Sequence, residues 1–358
     1  MREYTKLCDV CDFQGGSQPP KDEWSFDLKA GYIRMLQIRD FTQSERVVPE
    51  YIKITKTTKT CEADDILIAR YGASLGKILT GLAGAYNVAI MKAIPDTNML
   101  EKKYLYYYLK SPIFQGFLLN VGSRAAQAGF NKNDLQDLLI PNITRNEQVE
   151  IVGILERVET VIEVRQKELQ KLDNLLKARF VEMFGDPIRN TQKRPITELI
   201  NVVKMQRGFD LPVQERQQDG EIPVFGSNGA LDHHNVAKVK GGGVITGRSG
   251  TIGNVYYTEG DYWPLNTSLF SVDTHGNNIV YLAYLLTMYD LSRFTEGTGV
   301  PTLNRNKFHD KPIIDVSLVE QKKFADFVQQ VDKSKLAVQK SLEKTQLLFD
   351  SLMQEYFG

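Results

Sequence analysis

The chain has 358 residues, 44 Lys and Arg against 44 Asp and Glu, 42% apolar side chains and three cysteines. That length suits two domains, and zero net charge excludes a polybasic tail or a protein that coats nucleic acid by bulk attraction. Three cysteines and no leader segment point to a reducing, cytoplasmic compartment. The most apolar stretch, residues 78–94, is broken by Gly81, Gly84, Tyr86 and Asn87 and falls short of a ~20-residue membrane span.

In chain order, residues 4–13 predict a short opening helix. Residues 65–69 (DILIA) predict a buried strand running into the Arg-x-Gly turn Arg70-Tyr71-Gly72. Residues 104–109 read as a helix whose tyrosines belong to a core. Beyond Pro141 a long helix begins, with Ile151, Leu155, Val158, Ile162, Arg165, Leu169, Leu172 and Leu176 alternating in steps of four and three. This is the pattern of a coiled-coil seam; the competing reading is an amphipathic helix lying on a globular core. From Glu147 to Phe180 such a helix would be about 51 Å long. Gly185-Asp186-Pro187 supplies its stop.

The same order then returns. Residues 196–205 predict a second opening helix, 243–246 a strand entering Arg248-Ser249-Gly250, and 281–286 a helix. A second seam follows in Phe324, Val328, Val331, Lys335, Val338, Leu342, Thr345 and Phe349. Arg165 and Lys335 interrupt the two seams. Snorkelling of long side chains explains them, and so does contact with a partner protein; the sequence leaves both open.

The return is a duplication. Residues 147–185 laid over 320–358 without a gap are identical at 11 of 39 positions, including Glu147/Glu320, Gln148/Gln321, Phe184/Phe357 and Gly185/Gly358. Upstream the offset drifts from 192 (Gln14/Gln206, Gly16/Gly208, Pro20/Pro212) to 173 (Asn131/Asn304, Asn133/Asn306). Insertions and deletions therefore gather in the first part of each unit, giving a variable head on a helix of fixed length. The expected fold is α+β: two similar mixed α/β heads, 1–142 and 186–315, separated by two long helices, 143–185 and 316–358, paired as an antiparallel coiled coil about a pseudo-twofold.

Catalytic motifs fail on inspection. Cys8-x-x-Cys11 suggests zinc or redox chemistry, but its repeat positions are Ile200 and Val203, so these cysteines read as small apolar residues on a buried helix face. The glycine loops at 72–77 and 242–249 lack the spacing or the Lys of a phosphate loop. Pro95-Asp96 with Glu101-Lys102-Lys103 has too short a gap for a nuclease core, and no methyl-donor loop is present. No metal ligand set is expected. The repeated Arg, Asn and Gly positions remain. Arg and Asn read guanine and adenine edges or hold phosphates; Asn and Gly also simply make turns. The candidates for DNA contact are Arg39, Arg70, Ser74, Lys77, Asn87, Arg124, Gln127, Asn131 and Lys132 in the first head. In the second they are Ser227, Asn228, Arg248, Ser249, Thr251, Asn254, Asn266, Thr267, Asn304, Arg305 and Lys307.

Across its length the chain resembles the specificity subunit of type I restriction–modification systems. The resemblance is carried by Ile68-Ala69-Arg70-Tyr71-Gly72, by 245–253 (ITGRSGTIG) and Asn266-Thr267-Ser268-Leu269, and by the helix entry Leu139-Ile140-Pro141 with Glu147-Gln148 and its copy at Ile313-Ile314-Asp315 with Glu320-Gln321. Asp315 departs from the family's usual Pro. The resemblance implies a non-catalytic subunit whose heads each read one half of a bipartite double-stranded DNA target, with the helices setting the spacer. It also implies partner subunits: DNA methyltransferase subunits, numbering two, and ATP-dependent restriction subunits, which would carry S-adenosylmethionine, ATP and magnesium, with no cofactor in this chain and no membrane partner. Two other readings stand beside it: a coiled-coil scaffold with protein-binding heads, and a nuclease or methyltransferase with an unrecognised active site.

Overall fold

The computed structural model describes residues 3–43, 46–122, 129–297 and 301–358. They divide into two units, Met1–Val164 with Leu342–Gly358, and Arg165–Ser341. The expected heads, 1–142 and 186–315, fall in different units, and each long helix gives one part to each.

The first unit opens with β1 (Tyr4–Lys6), α1 (Leu7–Val10) and β2 (Cys11–Gly15), then β3 (Tyr32–Leu36), α2 (Ile38–Thr42), β4 (Tyr51–Lys53), β5 (Thr60–Cys61) and β6 (Ile66–Ala69). It continues through β7 (Ile78–Leu79), β8 (Gly84–Tyr86), β9 (Ile90–Pro95), α3 (Lys102–Lys110), α4 (Pro112–Gly122) and β10 (Leu139–Pro141) to the long α5 (Arg145–Phe184). Its main sheet has the order β2-β9-β6-β7 with every pair antiparallel, and a second sheet has the order β4-β3-β8-β5. All four residues of β6 are buried, as a continuous apolar run in a strand covered on both faces requires.

The second unit repeats the plan with β11 (Ile196–Glu198), α6 (Leu199–Val202), β12 (Lys204–Arg207), β13 (Ile222–Gly226), β14 (Gly229–His234), β15 (Gly243–Gly247) and β16 (Val255–Thr258). Then come β17 (Trp263–Pro264), β18 (Ser268–Asp273), α7 (Ile279–Tyr289), β19 (Thr295–Glu296), β20 (Thr302–Leu303), β21 (Pro312–Ile314) and α8 (Leu318–Phe357). Its main sheet, β12-β18-β15-β16, has the same order and sense as that of the first unit. The second sheets differ, β14-β13-β17 here against four strands there, where the offset of the duplication drifts.

The expected opening helices are corrected. Each is a strand, one helical turn and a strand, because β1 and β11 pair with β10 and β21 while β2 and β12 join the main sheets. In β2 the buried Cys11 and Phe13 flank an exposed Asp12, a period of two rather than of a helix. Cys11 is therefore buried on a strand; only Cys8 lies on a helix, half-buried.

The long helices run 40 residues each, longer than the seam alone indicates. The repeated Glu supplies the reason. The Glu147 carboxylate accepts from the Thr144 amide (2.8 Å) and hydroxyl (2.7 Å), and Glu320 accepts from the Ser317 hydroxyl (2.8 Å), so each Glu helps to close a cap at its helix entry. Gly185 ends the first helix at φ +78°, a left-handed stop. All thirteen apolar seam residues are buried or half-buried, from Leu155, Phe324 and Val328 at zero exposure to the half-buried Leu169, Leu342 and Phe349. In the second unit α5 and α8 run antiparallel: the rings of Phe180 and Phe324 lie 5.5 Å apart, and Asp173 meets Lys335 further along.

Each unit closes its core with one repeated ring pair and the opposite helix. Tyr104 in the first meets Phe357 of α8 at 5.0 Å; its counterpart Tyr281 meets Phe184 of α5 at 5.2 Å. Gln148 and Gln321, 3% and 1% exposed, are the repeated polar ties. Gln148 accepts from the Glu101 amide (2.7 Å) and donates to the Met99 and Ile143 carbonyls; Gln321 accepts from the Asn278 amide (2.9 Å) and donates to Asn277 and the Val316 carbonyl. Each glutamine thus pins the start of a long helix to the start of α3 or α7.

Candidate nucleic-acid interface

The second unit gathers its polar sequence candidates at one end of its main sheet. Arg248 follows the last residue of β15; its amide donates to the Thr267 carbonyl (2.8 Å) and its Nη1 to the Asn266 carbonyl (3.2 Å). The segment 302–306 is laced to it, Leu303 N donating to the Arg248 carbonyl (2.8 Å) while Ser249 bridges Thr302. Asn304 caps the following turn by accepting from Asn306 N (3.1 Å). Between these segments opens a cleft of about 310 Å³ walled by Arg207, Arg248, Thr302, Asn304, Arg305 and Asn306. Among the described residues, three arginines and no acidic residue line it. Arginine's planar fork suits phosphate oxygens and guanine edges.

Glycine makes the close approach behind this cleft possible. A Cβ on Gly208 would stand 2.2 Å from the Leu265 carbonyl oxygen, and one on its repeat partner Gly16 would stand 2.2 Å from that of Asn87. Only glycine lets these strand ends lie on the Asn266 and Asn87 turns. Below the cleft the buried His309 accepts the Met205 amide at Nε2 (3.1 Å), tying β12 to the segment that carries Arg305. Burial, with Arg305 and Lys204 nearby, lowers the His309 pKa from its ordinary value.

The other second-unit candidates lie around this end or are engaged. Ser227 and the exposed Asn228 form the two-residue turn between β13 and β14, and a Cβ on Gly247 would meet the carbonyls of both Thr251 and Ser227. Thr251 and Asn254 are exposed on the turn between β15 and β16, where the Asn254 carbonyl accepts from Thr246. The Asn266 amide group is hydrogen-bonded to Asp210, and Lys307 pairs with Glu296 at 2.8 Å.

In the first unit the equivalent residues meet but are tied down. Arg70 donates from Nε to the Phe130 carbonyl and from Nη1 to the Val88 carbonyl, both at 3.1 Å, and lies 5.0 Å from the Tyr71 ring. Asn87 Oδ1 accepts from Ala89 N (3.2 Å), and Asn131 caps the turn Lys132–Leu135. Lys132 forms an ion pair with Asp12. Ser74 lies half-buried in the turn after Arg70, and Lys77 is exposed beyond it. Arg39 is held elsewhere, on Glu50, which also binds Lys21 (2.7 Å) and Gln37 (2.9 Å). Arg124 and Gln127 lie outside the described residues.

Sequence reasoning missed Arg207. Its repeat counterpart is Gly15, where a Cβ would press on Arg70 Nη1 at 3.3 Å, so the duplication carries no charge at that position to notice. Among the described residues no group of three or more His, Cys, Asp or Glu side chains comes together in a way that could hold a metal, and no helix is long and apolar enough to cross a membrane.

The duplicated head, the strand-end cleft and the paired helices define a class. The chain belongs to the family of the type I restriction modification DNA specificity domain, whose model matches twice, at residues 2–174 and 189–347. Among curated proteins it is similar to the type I restriction enzyme MjaVIII specificity subunit of Methanocaldococcus jannaschii, 23% identical over 171 residues, or 46% of this chain and 40% of that protein. It is also similar to the EcoBI specificity subunit of Escherichia coli, 25% identical over 173 residues, 44% of this chain and 36% of that protein. The matched stretches thus span about 40% or less of these relatives' length. Its fold is that of the type I restriction–modification S subunit from M. genitalium (TM-score 0.56, 18% identity, 100% of this chain and 96% of that one). A chain solved in work on complex assembly and conformational transition of the type I R-M system shares it too (TM-score 0.62, 15% identity, 99% and 97%).

Proposed function

We propose that this chain is the DNA-recognition subunit of a type I restriction–modification complex, each unit reading one half of a bipartite double-stranded target. The observation that carries this reading is the cleft of Arg207, Arg248 and Arg305 with Asn304 and Asn306, formed on a head that the chain carries twice. It supplies phosphate-holding and base-reading groups without a carboxylate to repel DNA. The domain assignment that goes with it is heads at 1–142 and 186–315 and helices at 143–185 and 316–358.

In this reading the chain is not itself an enzyme. Two methyltransferase subunits and the restriction subunits are its partners, and S-adenosylmethionine, ATP and magnesium are theirs to bind. Counting Lys and Arg minus Asp and Glu gives 25 − 24 = +1 for residues 1–185 and 19 − 20 = −1 for 186–358, so neither half is a basic domain. The phosphate grip must then come largely from partners. The experiment is to exchange residues 1–142 for another head and sequence the methylated sites: one half-site should change and the other stay. An unchanged pattern would refute the proposal.

A further inference from the structure

Although the two units share one plan, they differ at the free edge of their main sheets. In the second unit β16 is a full strand, with Tyr257 opposite Val244, Tyr256 opposite Ile245 and Val255 opposite Thr246. The Tyr257 hydroxyl reaches Asp332 of α8 at 3.5 Å, and burial beside that carboxylate pushes its pKa up to about 12. In the first unit β7 is only two residues long, with Leu79 opposite Leu67 and Ile78 opposite Ile68. Aligning Arg70 with Arg248 makes Ile66 the counterpart of Val244 and Leu79 that of Tyr256, so Thr80, one residue beyond the end of β7, is by residue order the counterpart of Tyr257. Glu159 is the counterpart of Asp332 at the constant offset of 173.

Thr80 leaves open what Tyr257 fills. A cleft of about 570 Å³ lies there, bounded by Ile66, Thr80, Gly81, Tyr107, Glu156 and Glu159. Tyr106 and Lys103 stand on its rim in place of the smaller Ala283 and Val280 of the second unit, and still do not close it. Formal charges on and beside the cleft are paired: Lys102 with Asp64 at 2.8 Å, Lys103 with Glu156, and, from just outside it, Lys110 with Glu159 and Arg145 with Glu101, both at 3.0 Å. Balanced charge disfavours an ionic ligand. The Glu159 carboxylate already accepts from Lys110 and from the Tyr107 hydroxyl (2.8 Å) and keeps lone pairs for a further neutral donor.

We propose that this cleft receives a tyrosine side chain from a partner polypeptide, its ring lying where Tyr257 lies in the other unit and its hydroxyl donating to Glu159. A polypeptide source is favoured because the chain's own ring arrives on a strand at the sheet edge, and Thr80 and Gly81 wall the cleft at the same edge of the first unit. This inference is independent of DNA recognition.

Titrating the full chain with N-acetyl-tyrosinamide, followed by NMR and calorimetry, tests it. The wild type should show one site, Thr80→Tyr none, and Tyr257→Thr two, since that substitution opens the second cleft. N-acetyl-phenylalaninamide should bind at least about tenfold more weakly, because a site that pairs a hydroxyl is left with an unmatched acceptor. Acetyl-Ala-Tyr-Ala-amide should bind more tightly than phenol. No binding to the wild type, undiminished binding to folded Thr80→Tyr, or equal affinity for the phenylalanine analogue would overturn the proposal. Phenol matching the tripeptide would overturn the polypeptide source. If Thr80→Tyr fails to fold, the site count of Tyr257→Thr decides.

Discussion

Lys335 of α8 holds its ammonium 2.6 Å from the Asp173 carboxylate of α5, at the place where the second apolar seam is interrupted. The interruption is thus an interhelical ion pair rather than a gap in the seam. Arg165, which breaks the first seam, instead pairs along its own helix with Glu168 at 2.7 Å. Asp173 is half exposed, so the interhelical pair contributes at most about 1 kcal/mol and is screened by salt. Lys335→Leu should leave stability in urea unchanged or raise it, and should remove the salt dependence that Lys335 confers.

The repeated glutamines predict a larger and paired effect. Gln148→Ala and Gln321→Ala each leave a partly buried backbone amide without its acceptor and two donated bonds unmade. Each should cost about 1–3 kcal/mol in chemical denaturation. The exposed cap substitution Glu147→Ala should cost less, because water can replace the lost carboxylate at an open helix end.

The arginines of the two units should separate binding from stability. Arg207→Ala, Arg248→Ala and Arg305→Ala should weaken DNA binding by the assembled complex. Each substitution that removes a phosphate contact should reduce the salt slope by about 0.9. Arg70→Ala, whose guanidinium ties two backbone carbonyls together, should chiefly lower the melting temperature. Filter binding across a salt series, with a thermal melt of each variant, checks both; an Arg248→Ala footprint identical to wild type would remove it from the interface.

His309 gives the second unit a pH dependence. Its pKa is lowered in the folded state by burial and by Arg305 and Lys204, opposed by Asp310. The unfolded chain therefore binds the proton more readily. Stability is full above the unfolded value near 6.5 and falls as pH drops through the interval down to the lowered folded value. His309→Gln can still accept the Met205 amide but does not titrate, so it should flatten that part of the stability curve in urea melts at pH 5 to 8.

Much of this architecture is visible in the residue pattern, because it rests on local physics. The seam from Ile151 to Leu176 needs only a 3.5-residue repeat. The 173-residue offset marks the two long helices as equal, and Arg70 and Arg248 follow strands legible as apolar runs. The opening segments carry no such local signal, because α1 and α6 are single turns and their flanking strands exist only through pairing with β10, β9, β21 and β18. Pairing partners so distant in sequence leave no local period.

Sequence by itself determined the duplication, the variable heads, the fixed helices and the Arg-x-Gly strand ends, since each is written as spacing or identity along one chain. Tertiary structure decided what surrounds each of the equivalent residues. Arg70 and Arg248 occupy one repeat position, yet Arg70 spans two carbonyls while Arg248 is held on one and walls a cleft with Arg207 and Arg305. That difference arises from neighbours brought in from distant segments, Phe130 in one case and the 302–306 segment in the other, and only folding puts them there.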